Sequence, residues 1–229
     1  MTSLSHLRAT IPHNPDKGQG ANPVVPALEA LERLKDGNGR FASGLRSIDS
    51  LVSQMQRSRL VAGQNPFAVI LGCSDSRVPV EIVFDQGMGD LFVIRVAGNV
   101  VAPSQIGSVE FAAEQYGARL VVVLGHTLCG AVQATLEELR RPSENRSRNL
   151  RSIVDRVRPS VEGLLATPLR HDPAALAREA VRANIRASAN HLRHGSRILE
   201  QLIQSDGLLV VGAEYSLETG LVDFFDGLP

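Results

Sequence analysis

The fold is decided by a short apolar run, Leu120-Val-Val-Val-Leu-Gly125, which is followed directly by His126. Three other short runs are dominated by aliphatic residues in the same way, at 67–72, 90–96 and 208–212. None of the four alternates regularly between apolar and polar residues. This pattern predicts strands that are buried on both faces, as in a parallel sheet.

Predicted helices precede the first of the four predicted strands and lie between the later ones. They are expected at 24–43, 50–62, 103–117, 129–141, 150–166 and 173–204. Gly37 and Gly39 are expected to interrupt the first of them near its end. Strands that alternate with helices predict an α/β fold with a mostly parallel central β-sheet flanked by helices. Residues 222–225 are expected to add a C-terminal edge strand through a turn at 218–220.

The first residues of the chain differ in character from the rest. Residues 1–23 are polar and contain several prolines and glycines, which predicts a flexible or irregular N-terminal arm. Residues 24–229 are expected to form a single α/β domain, and its first element, 24–43, is expected to be a helical arm. The polar stretch 141–149 is typical of a loop within that domain.

Composition excludes several classes of protein. The 229 residues include 24 Lys and Arg and 24 Asp and Glu, so the formal net charge is +0. This balance argues against a generally basic nucleic-acid-binding protein. The chain has no run of 18 apolar residues, and its N-terminus lacks the apolar core of a secretory signal. We therefore expect a cytoplasmic protein with reduced cysteines and with no nucleic-acid or membrane partner.

Both cysteines of the chain follow predicted strands. Cys73 comes after the first apolar run, and His126 and Cys129 follow the run that ends at Gly125. The carboxyl ends of neighbouring parallel strands meet at one edge of a sheet, where ligands bind. Two cysteines and one histidine form the ligand set of a catalytic zinc, which keeps a fourth position open. Because two thiolates offset the charge of Zn²⁺, water on such an ion should have a pKa above about 7, and activity should rise toward alkaline pH.

A carboxylate and a guanidinium lie beside the first of these cysteines. Asp75 and Arg77 stand two and four residues after Cys73. A carboxylate there could accept a proton from a metal-bound water, orient hydroxide or bind the metal itself. Arg77 is expected to keep Asp75 ionised through a bidentate contact. If Arg77 released it, Asp75 would take the fourth metal position and close the site in an inactive state.

Two motifs together resemble the β-class carbonic anhydrases: Cys73-Ser-Asp-Ser-Arg77 and Gly125-His-Thr-Leu-Cys-Gly130. Further stretches are similar to the same family, at 81–87, 92–95, 97–99 and 212–220. The resemblance covers about residues 27–226 and includes features of the plant-like branch. It implies a zinc enzyme in which a metal-bound hydroxide attacks CO₂, and the products are bicarbonate and a proton.

The resemblance also implies the roles of individual residues. Cys73, His126 and Cys129 would be the ligands of one Zn²⁺ per chain. Asp75 and Arg77 would be the catalytic dyad beside the hydroxide, and Asp75 would bind the metal only in the closed state.

The substrate cleft is expected from the same resemblance. It implies substrate-binding roles for Gln64, Phe92 and Gly130, with Gln64 acting from the partner subunit. The family forms homodimers, often paired into tetramers, with active sites at the dimer interface. Two positions depart from its patterns. Phe111 replaces a tyrosine of the plant-like branch, and Ile70 replaces a tryptophan that belongs to an inhibitory bicarbonate site in another branch, so that site should be missing or altered.

Three alternatives remain open at this stage. Hydrolysis of CS₂ or COS would use the same zinc site. A non-catalytic zinc-binding or redox-sensing protein would use Cys73 and Cys129 but would not need a dyad of Asp75 and Arg77. In the simplest alternative, the cysteines are small buried hydrophobic residues, and the dyad is a structural ion pair.

Overall fold

The described residues of the computed structural model are 24–45, 60–61, 63–142 and 147–229. They form a sheet of five strands: β1 (Ala68–Gly72), β2 (Leu91–Arg95), β3 (Leu120–His126), β4 (Leu209–Tyr215) and β5 (Val222–Asp226). The strand order is β2-β1-β3-β4-β5. The first four strands are parallel, and β5 pairs antiparallel with β4. The predicted α/β fold with its C-terminal edge strand is confirmed.

The inner strands are apolar on both sides because helices cover both faces of the sheet. Every residue of β1 and β3 is buried. Val69 and Val121 belong to one core cluster, whereas Ile70 and Val122 belong to the other. Successive side chains of a strand point to opposite faces, so each face requires its own apolar residues. This requirement explains why the strand sequences do not alternate.

The helices of the described residues divide between the two faces. They are α1 (Ala27–Ala42), α2 (Val80–Val83), α3 (Pro103–Gln115), α4 (Gly130–Arg140), α5 (Arg148–Val161), α6 (Pro173–His194) and α7 (Arg197–Ser205), with 3-10 turns at Ala97–Asn99, Glu162–Ala166 and Pro168–His171. Helices α3 to α7 pack on the face that carries Val69, and α1 and α2 pack on the face that carries Ile70. No helix among the described residues is long and apolar enough to span a membrane.

The predicted helix at 173–204 is in fact two helices, so that prediction was wrong. Gly195 ends α6, where its N–H donates to the carbonyl of His191 at 2.8 Å. Ser196 then begins α7, and its hydroxyl accepts from the N–H of Leu199 at 3.2 Å. A glycine followed by a serine N-cap terminates one helix and starts the next, although the apolar spacing continues across the break.

Two other predicted segments lie mostly outside the described residues, and a third is a helix followed by a 3-10 turn. The N-terminal arm at 1–23 lies outside the described residues, and so does the helix predicted at 50–62, apart from residues 60–61. The helix predicted at 150–166 is α5 followed by the 3-10 turn Glu162–Ala166.

Helix α1 continues through Gly37 and Gly39 to Ala42, so the expected interruption was wrong. A Cβ atom at Gly37 would overlap the carbonyl oxygen of Phe84, directly after α2. A Cβ atom at Gly39 would have nothing within 4 Å. Gly37 therefore permits a close approach of α1 to the end of α2.

Asn38 uses that close approach to tie α1 to two other segments. Its Nδ2 donates to the carbonyls of Val83 at 3.1 Å and Gly220 at 2.8 Å. Its Oδ1 accepts from the N–H of Val222 at 2.8 Å. One buried amide thus joins α1, α2 and the turn between β4 and β5.

The two glycines of α1 provide a matched pair of substitutions. We expect Gly37→Ala to lower the free energy of unfolding by about 1–3 kcal/mol, because the methyl group would push α1 away from Phe84. Gly39→Ala should raise it by about 0.5–1 kcal/mol, because alanine favours the helix and the site is open. Urea denaturation followed by circular dichroism measures both. Equal effects of the two substitutions would contradict this account of Gly37.

Candidate metal centre

The register between β1 and β3 brings distant segments together. The two strands are parallel neighbours, and Gly72 pairs with Leu124. Cys73 directly follows β1, and His126 is the last residue of β3. Cys129 is the N-cap residue of α4, three residues further on. All three side chains therefore lie at the carboxyl edge of the sheet.

The side chains of Cys73, His126 and Cys129 form a buried cluster. The two Sγ atoms lie 4.0 Å apart. The three candidate ligand atoms all lie within 4.8 Å of one another. The residues are 4%, 0% and 1% exposed, respectively. We call this cluster the Cys₂His site.

The imidazole of the Cys₂His site is oriented for ligation. His126 Nδ1 lies 2.9 Å from the carbonyl of Thr127, and because a carbonyl only accepts, Nδ1 carries the proton. In the neutral imidazole, Nε2 is then the acceptor atom, and it is buried and without a hydrogen-bond partner among the described residues. A buried polar atom of this kind is costly unless something binds it. A soft or borderline metal ion fits both this nitrogen and the adjacent sulfurs.

The two sulfurs lie within hydrogen-bond distance of each other, and their pKa values move in opposite directions. The contact with Cys129, together with a hydrogen bond from the N–H of Gly98 at 3.3 Å, lowers the pKa of Cys73. The same contact with Cys73, together with burial, raises the pKa of Cys129. Deprotonating both thiols therefore requires a positive charge between them, which a divalent cation supplies.

Asp75 and Arg77 lie beside the Cys₂His site as a bidentate pair. Arg77 Nε donates to Oδ1 of Asp75 at 2.9 Å, and Nη2 donates to Oδ2 at 2.8 Å. These bonds hold the pKa of the Asp75 carboxyl well below its usual range. Asp75 Oδ2 lies 3.8 Å from His126 Nε2, too far for a hydrogen bond. The carboxylate is thus ionised, and Arg77 keeps it next to the candidate ligand atoms.

Arg95 is a residue of this region that the sequence interpretation missed. It ends β2 and pairs with Gly72 of β1. Its Nε donates to the carbonyl of Cys73 at 2.9 Å, and its Nη2 donates to the carbonyl of Asp75 at 2.6 Å. Arg95 therefore fixes the backbone that carries both side chains. The available signal was a charged residue at the end of an apolar strand, at the same edge of the sheet.

The expected substrate-binding residues are divided between two places. Gly130 begins α4, next to Cys129. Phe92 instead pairs with Val69. Val69 precedes Cys73 by four residues, so Phe92 lies about 13 Å from Cys73 along the strand direction. Gln64 lies near Phe92, because both contact Tyr116. Within one chain, therefore, the structure does not bring Gln64 or Phe92 to the Cys₂His site.

An aromatic cluster occupies that second place. The hydroxyl of Tyr116 accepts from Nε2 of Gln64 at 2.9 Å. The ring of Tyr116 lies 6.0 Å from that of Phe92 and 5.7 Å from that of Phe111. Phe111 thus packs in this cluster and carries no hydroxyl there, whereas Tyr116 supplies one nearby. Ile70, the other departure from the family pattern, is fully buried in β1.

Comparison with known proteins agrees with the fold and with the site. A family profile described as carbonic anhydrase matches residues 68–222. Carbonic anhydrase 2 of Mycobacterium tuberculosis is 40% identical over 199 residues, which are 87% of this chain and 91% of that protein. A carbonic anhydrase of Mycolicibacterium smegmatis is 38% identical over 205 residues, which are 89% of this chain and 93% of that protein.

Solved structures give the same result. A β-carbonic anhydrase of Aspergillus fumigatus superposes with a TM-score of 0.66 at 26% identity, covering 83% of this chain and 92% of that one. A Coccomyxa β-carbonic anhydrase in complex with acetazolamide superposes with a TM-score of 0.65 at 25% identity, covering 85% and 86%. The chain belongs to the β-class carbonic anhydrase family. The family and the enzyme class predicted from the two motifs are confirmed.

Leu128, in the loop between His126 and Cys129, has a backbone conformation that asparagine adopts more readily than leucine does. Leu128 has a φ of 58° and is 61% exposed. The left-handed region costs an ordinary residue about 1–2 kcal/mol, whereas asparagine adopts it readily. The carbonyl of Leu128 lies 3.4 Å from Arg77 Nη2, a contact that any side chain at this position would keep.

We therefore expect Leu128→Asn to raise the free energy of unfolding by about 1 kcal/mol, or the melting temperature by about 2–4 °C. Leu150→Asn is the matched control, because Leu150 is also exposed but lies in the ordinary helical conformation of α5. Thermal denaturation of both variants measures the effect. A melting temperature of Leu128→Asn no higher than that of the control would contradict the backbone strain at Leu128.

Proposed function

We propose that this protein is a zinc enzyme that reversibly hydrates CO₂ to bicarbonate and a proton, with one Zn²⁺ per chain held by Cys73, His126 and Cys129. The observation that carries the proposal is the Cys₂His site itself. It combines two buried sulfurs, an adjacent ionised carboxylate and the imidazole nitrogen His126 Nε2, which has no hydrogen-bond partner in the described part of the chain. Membership of the carbonic anhydrase family supports the same reaction.

Zinc suits this donor set better than harder ions do. Thiolate and imidazole ligands favour zinc over magnesium or calcium, and three protein ligands leave one coordination position open. When bound, Zn²⁺ would supply the Lewis acidity that makes water a nucleophile.

Asp75 has the role of orienting the reacting water. Its Oδ2 lies 3.8 Å from His126 Nε2, and as an ionised group it would accept a hydrogen bond from a water bound near the ligand atoms. Arg77 keeps Asp75 ionised and holds it in this position through two hydrogen bonds. Arg95 holds the backbone of residues 73–75 through two carbonyl contacts. The chain therefore provides a fixed acceptor for the reacting water.

The substrate cleft is proposed to require a second copy of the chain. Gln64 and Phe92 lie too far from the Cys₂His site of their own chain to contact a substrate there. Strand β2 is an edge of the sheet, and its central residues are only partly buried, which favours pairing with another chain. In a homodimer formed through this edge, Gln64 and Phe92 would serve the partner's site, and dimers would pair further into tetramers. Structures of two β-carbonic anhydrases of the same fold from Sordaria macrospora are described as tetrameric.

A cytoplasmic location is part of the same proposal. The Cys₂His site needs both sulfurs as thiolates, and both cysteines are free thiols in the structure. Reducing compartments preserve cysteines in this form, whereas oxidising compartments favour disulfides.

Removal of either sulfur should abolish zinc binding. We expect Cys73→Ser and Cys129→Ser to contain little zinc after purification and to be less stable than the wild type, because metal binding contributes to folding. Ser76→Ala, in the exposed loop after Cys73, is the control and should retain about one zinc per chain. Atomic absorption on the purified proteins measures the content. A full complement of zinc in either cysteine variant would rule out this ligand assignment.

Removal of the carboxylate should separate zinc binding from catalysis. We expect Asp75→Asn to retain its zinc and to lose at least about 10²-fold in turnover, because the neutral amide is a much weaker acceptor for the reacting water. Stopped-flow CO₂ hydration at mildly alkaline pH, with zinc quantified in the same sample, measures both.

Two outcomes of that experiment would count against the proposal. Undiminished turnover in Asp75→Asn would remove this carboxylate from the mechanism. A wild-type protein with full zinc but no CO₂ hydration would contradict the proposed substrate, and assays with CS₂ and COS would then decide between hydrolysis of those molecules and a non-catalytic zinc protein.

A further inference from the structure

Helix α6 packs against the sheet directly behind the Cys₂His site. A Cβ atom at Gly125, the residue before His126, would lie 2.5 Å from Cδ1 of Ile185 on α6. A Cβ atom at Gly212 on β4 would lie 2.9 Å from Cγ2 of the same isoleucine. The two glycines therefore let α6 approach the sheet more closely than any larger residue would permit.

Asn184, the neighbour of Ile185, extends this contact to a second part of the site. It is 2% exposed, and its Nδ2 donates to the carbonyl of Gly98 at 2.7 Å. Gly98 lies in the 3-10 turn Ala97–Asn99, directly after β2. The N–H of the same glycine donates to Cys73 Sγ at 3.3 Å. A short chain of hydrogen bonds thus leads from α6 through one glycine to a candidate metal ligand.

The conformation of Gly98 needs support from outside the turn. Its φ of 70° and ψ of 19° place it in the left-handed region, which glycine enters without strain but also leaves easily. Within the turn, the N–H of Asn99 donates to the carbonyl of Val96 at 3.0 Å. Asn184 holds the opposite side of Gly98 by its carbonyl. The Gly98 carbonyl and the Asn99 N–H belong to one peptide group, so these two bonds fix that group and restrict the rotation at Gly98 that would move the neighbouring N–H away from Cys73.

A backbone N–H directed at a thiolate ligand affects the metal that the thiolate binds. The hydrogen bond withdraws charge from the sulfur and fixes its position, and groups that support ligands in this way commonly change metal affinity by about 10–100-fold. Cys129 occupies the N-cap of α4, so its position is set by a different element. Cys73 is therefore the ligand that depends on the turn at Gly98.

We propose that Asn184 is a positioning residue for the metal site, which acts by holding Gly98 so that its N–H donates to Cys73 Sγ. This role rests on the proposed function, because it requires that Cys73 bind the metal. Asn184 itself is connected to Cys73 through Gly98, so its effect on the site is indirect.

The test compares two substitutions on the same helix, studied in the full chain. Asn184→Leu removes the amide but keeps a side chain of similar size. Ser188→Ala, one turn further along α6, removes the hydroxyl of another buried polar residue, which makes no hydrogen bond to Gly98 among the described residues, and serves as the control. Zinc affinity is measured by competition with a chromophoric chelator, and each protein is also loaded with Co²⁺ for its thiolate-to-metal charge-transfer spectrum.

We expect Asn184→Leu to bind zinc at least about tenfold more weakly than the wild type. Its charge-transfer band should move to lower energy, because a thiolate without the hydrogen bond gives up its electrons more readily. Ser188→Ala should match the wild type in both measurements. A purely structural role for Asn184 would lower the melting temperature and leave the band in place, and this result would overturn the proposal.

A measurement on the wild-type protein tests the same contact without any variant. In protein loaded with ¹¹³Cd, a hydrogen bond from Gly98 to the coordinating sulfur should give a scalar coupling between the Gly98 amide proton and the metal. If Asn184→Leu does not fold, Asn184→Ala loaded with ¹¹³Cd should show this coupling reduced or lost. Absence of the coupling in the wild type, or its full retention in Asn184→Ala, would overturn the proposal.

The same samples distinguish failure of this inference from failure of the proposed function. If the wild type binds neither zinc nor cobalt, the proposed function is wrong and the role of Asn184 falls with it. If the wild type binds about one metal per chain and Asn184→Leu behaves as Ser188→Ala does, only the role of Asn184 is wrong.

Discussion

The parallel pairing of β1 with β3 is the constraint on which the rest of the molecule depends. Cys73 and the pair His126 and Cys129 come from segments about fifty residues apart, and they meet only because the two strands are neighbours in one register. A shift of one residue would turn the side chains of one strand to the opposite face of the sheet. Helices on both faces, the apolar strands and the close packing at Gly125 all keep that register in place.

The same strand pairing buries the ligand atoms together, so the groups around them must stabilise negative charge. Two sulfurs 4.0 Å apart and an imidazole are buried together, where full ionisation of both thiols is unfavourable. Donors from several elements point at this region. The N–H of Gly98 donates to Cys73 Sγ, Arg77 donates to the Asp75 carboxylate, and Arg95 donates to the carbonyl of Cys73. Asp75 is ionised because Arg77 holds both of its oxygens. These groups stabilise negative charge, and the proposed divalent cation would complete the balance.

Predictions from the sequence succeeded where local pattern is decisive. A sheet covered on both faces needs apolar residues at every position of its inner strands, so a continuous apolar run is enough to predict such a strand. The break between α6 and α7 was missed because apolar residues continue at helical spacing through Ser196, although Gly195 marked the boundary. The interruption expected at Gly37 was wrong for a related reason: its lack of a side chain serves the contact with Phe84 and does not end the helix.

By itself, the sequence determined the strand pattern, the α/β class and the residues suited to bind a metal, since each depends on residue type and short-range spacing. Tertiary structure alone decided which of these residues meet and what holds them. It brought Arg95 to the carbonyl of Cys73, placed Asn184 against Gly98, and joined Gln64 to Tyr116, far from the cysteines of the same chain. Each of these contacts joins residues at least 22 positions apart, the smallest separation being that of Arg95 and Cys73. Such contacts follow from how helices pack on the sheet, which the periodicity of the sequence does not encode.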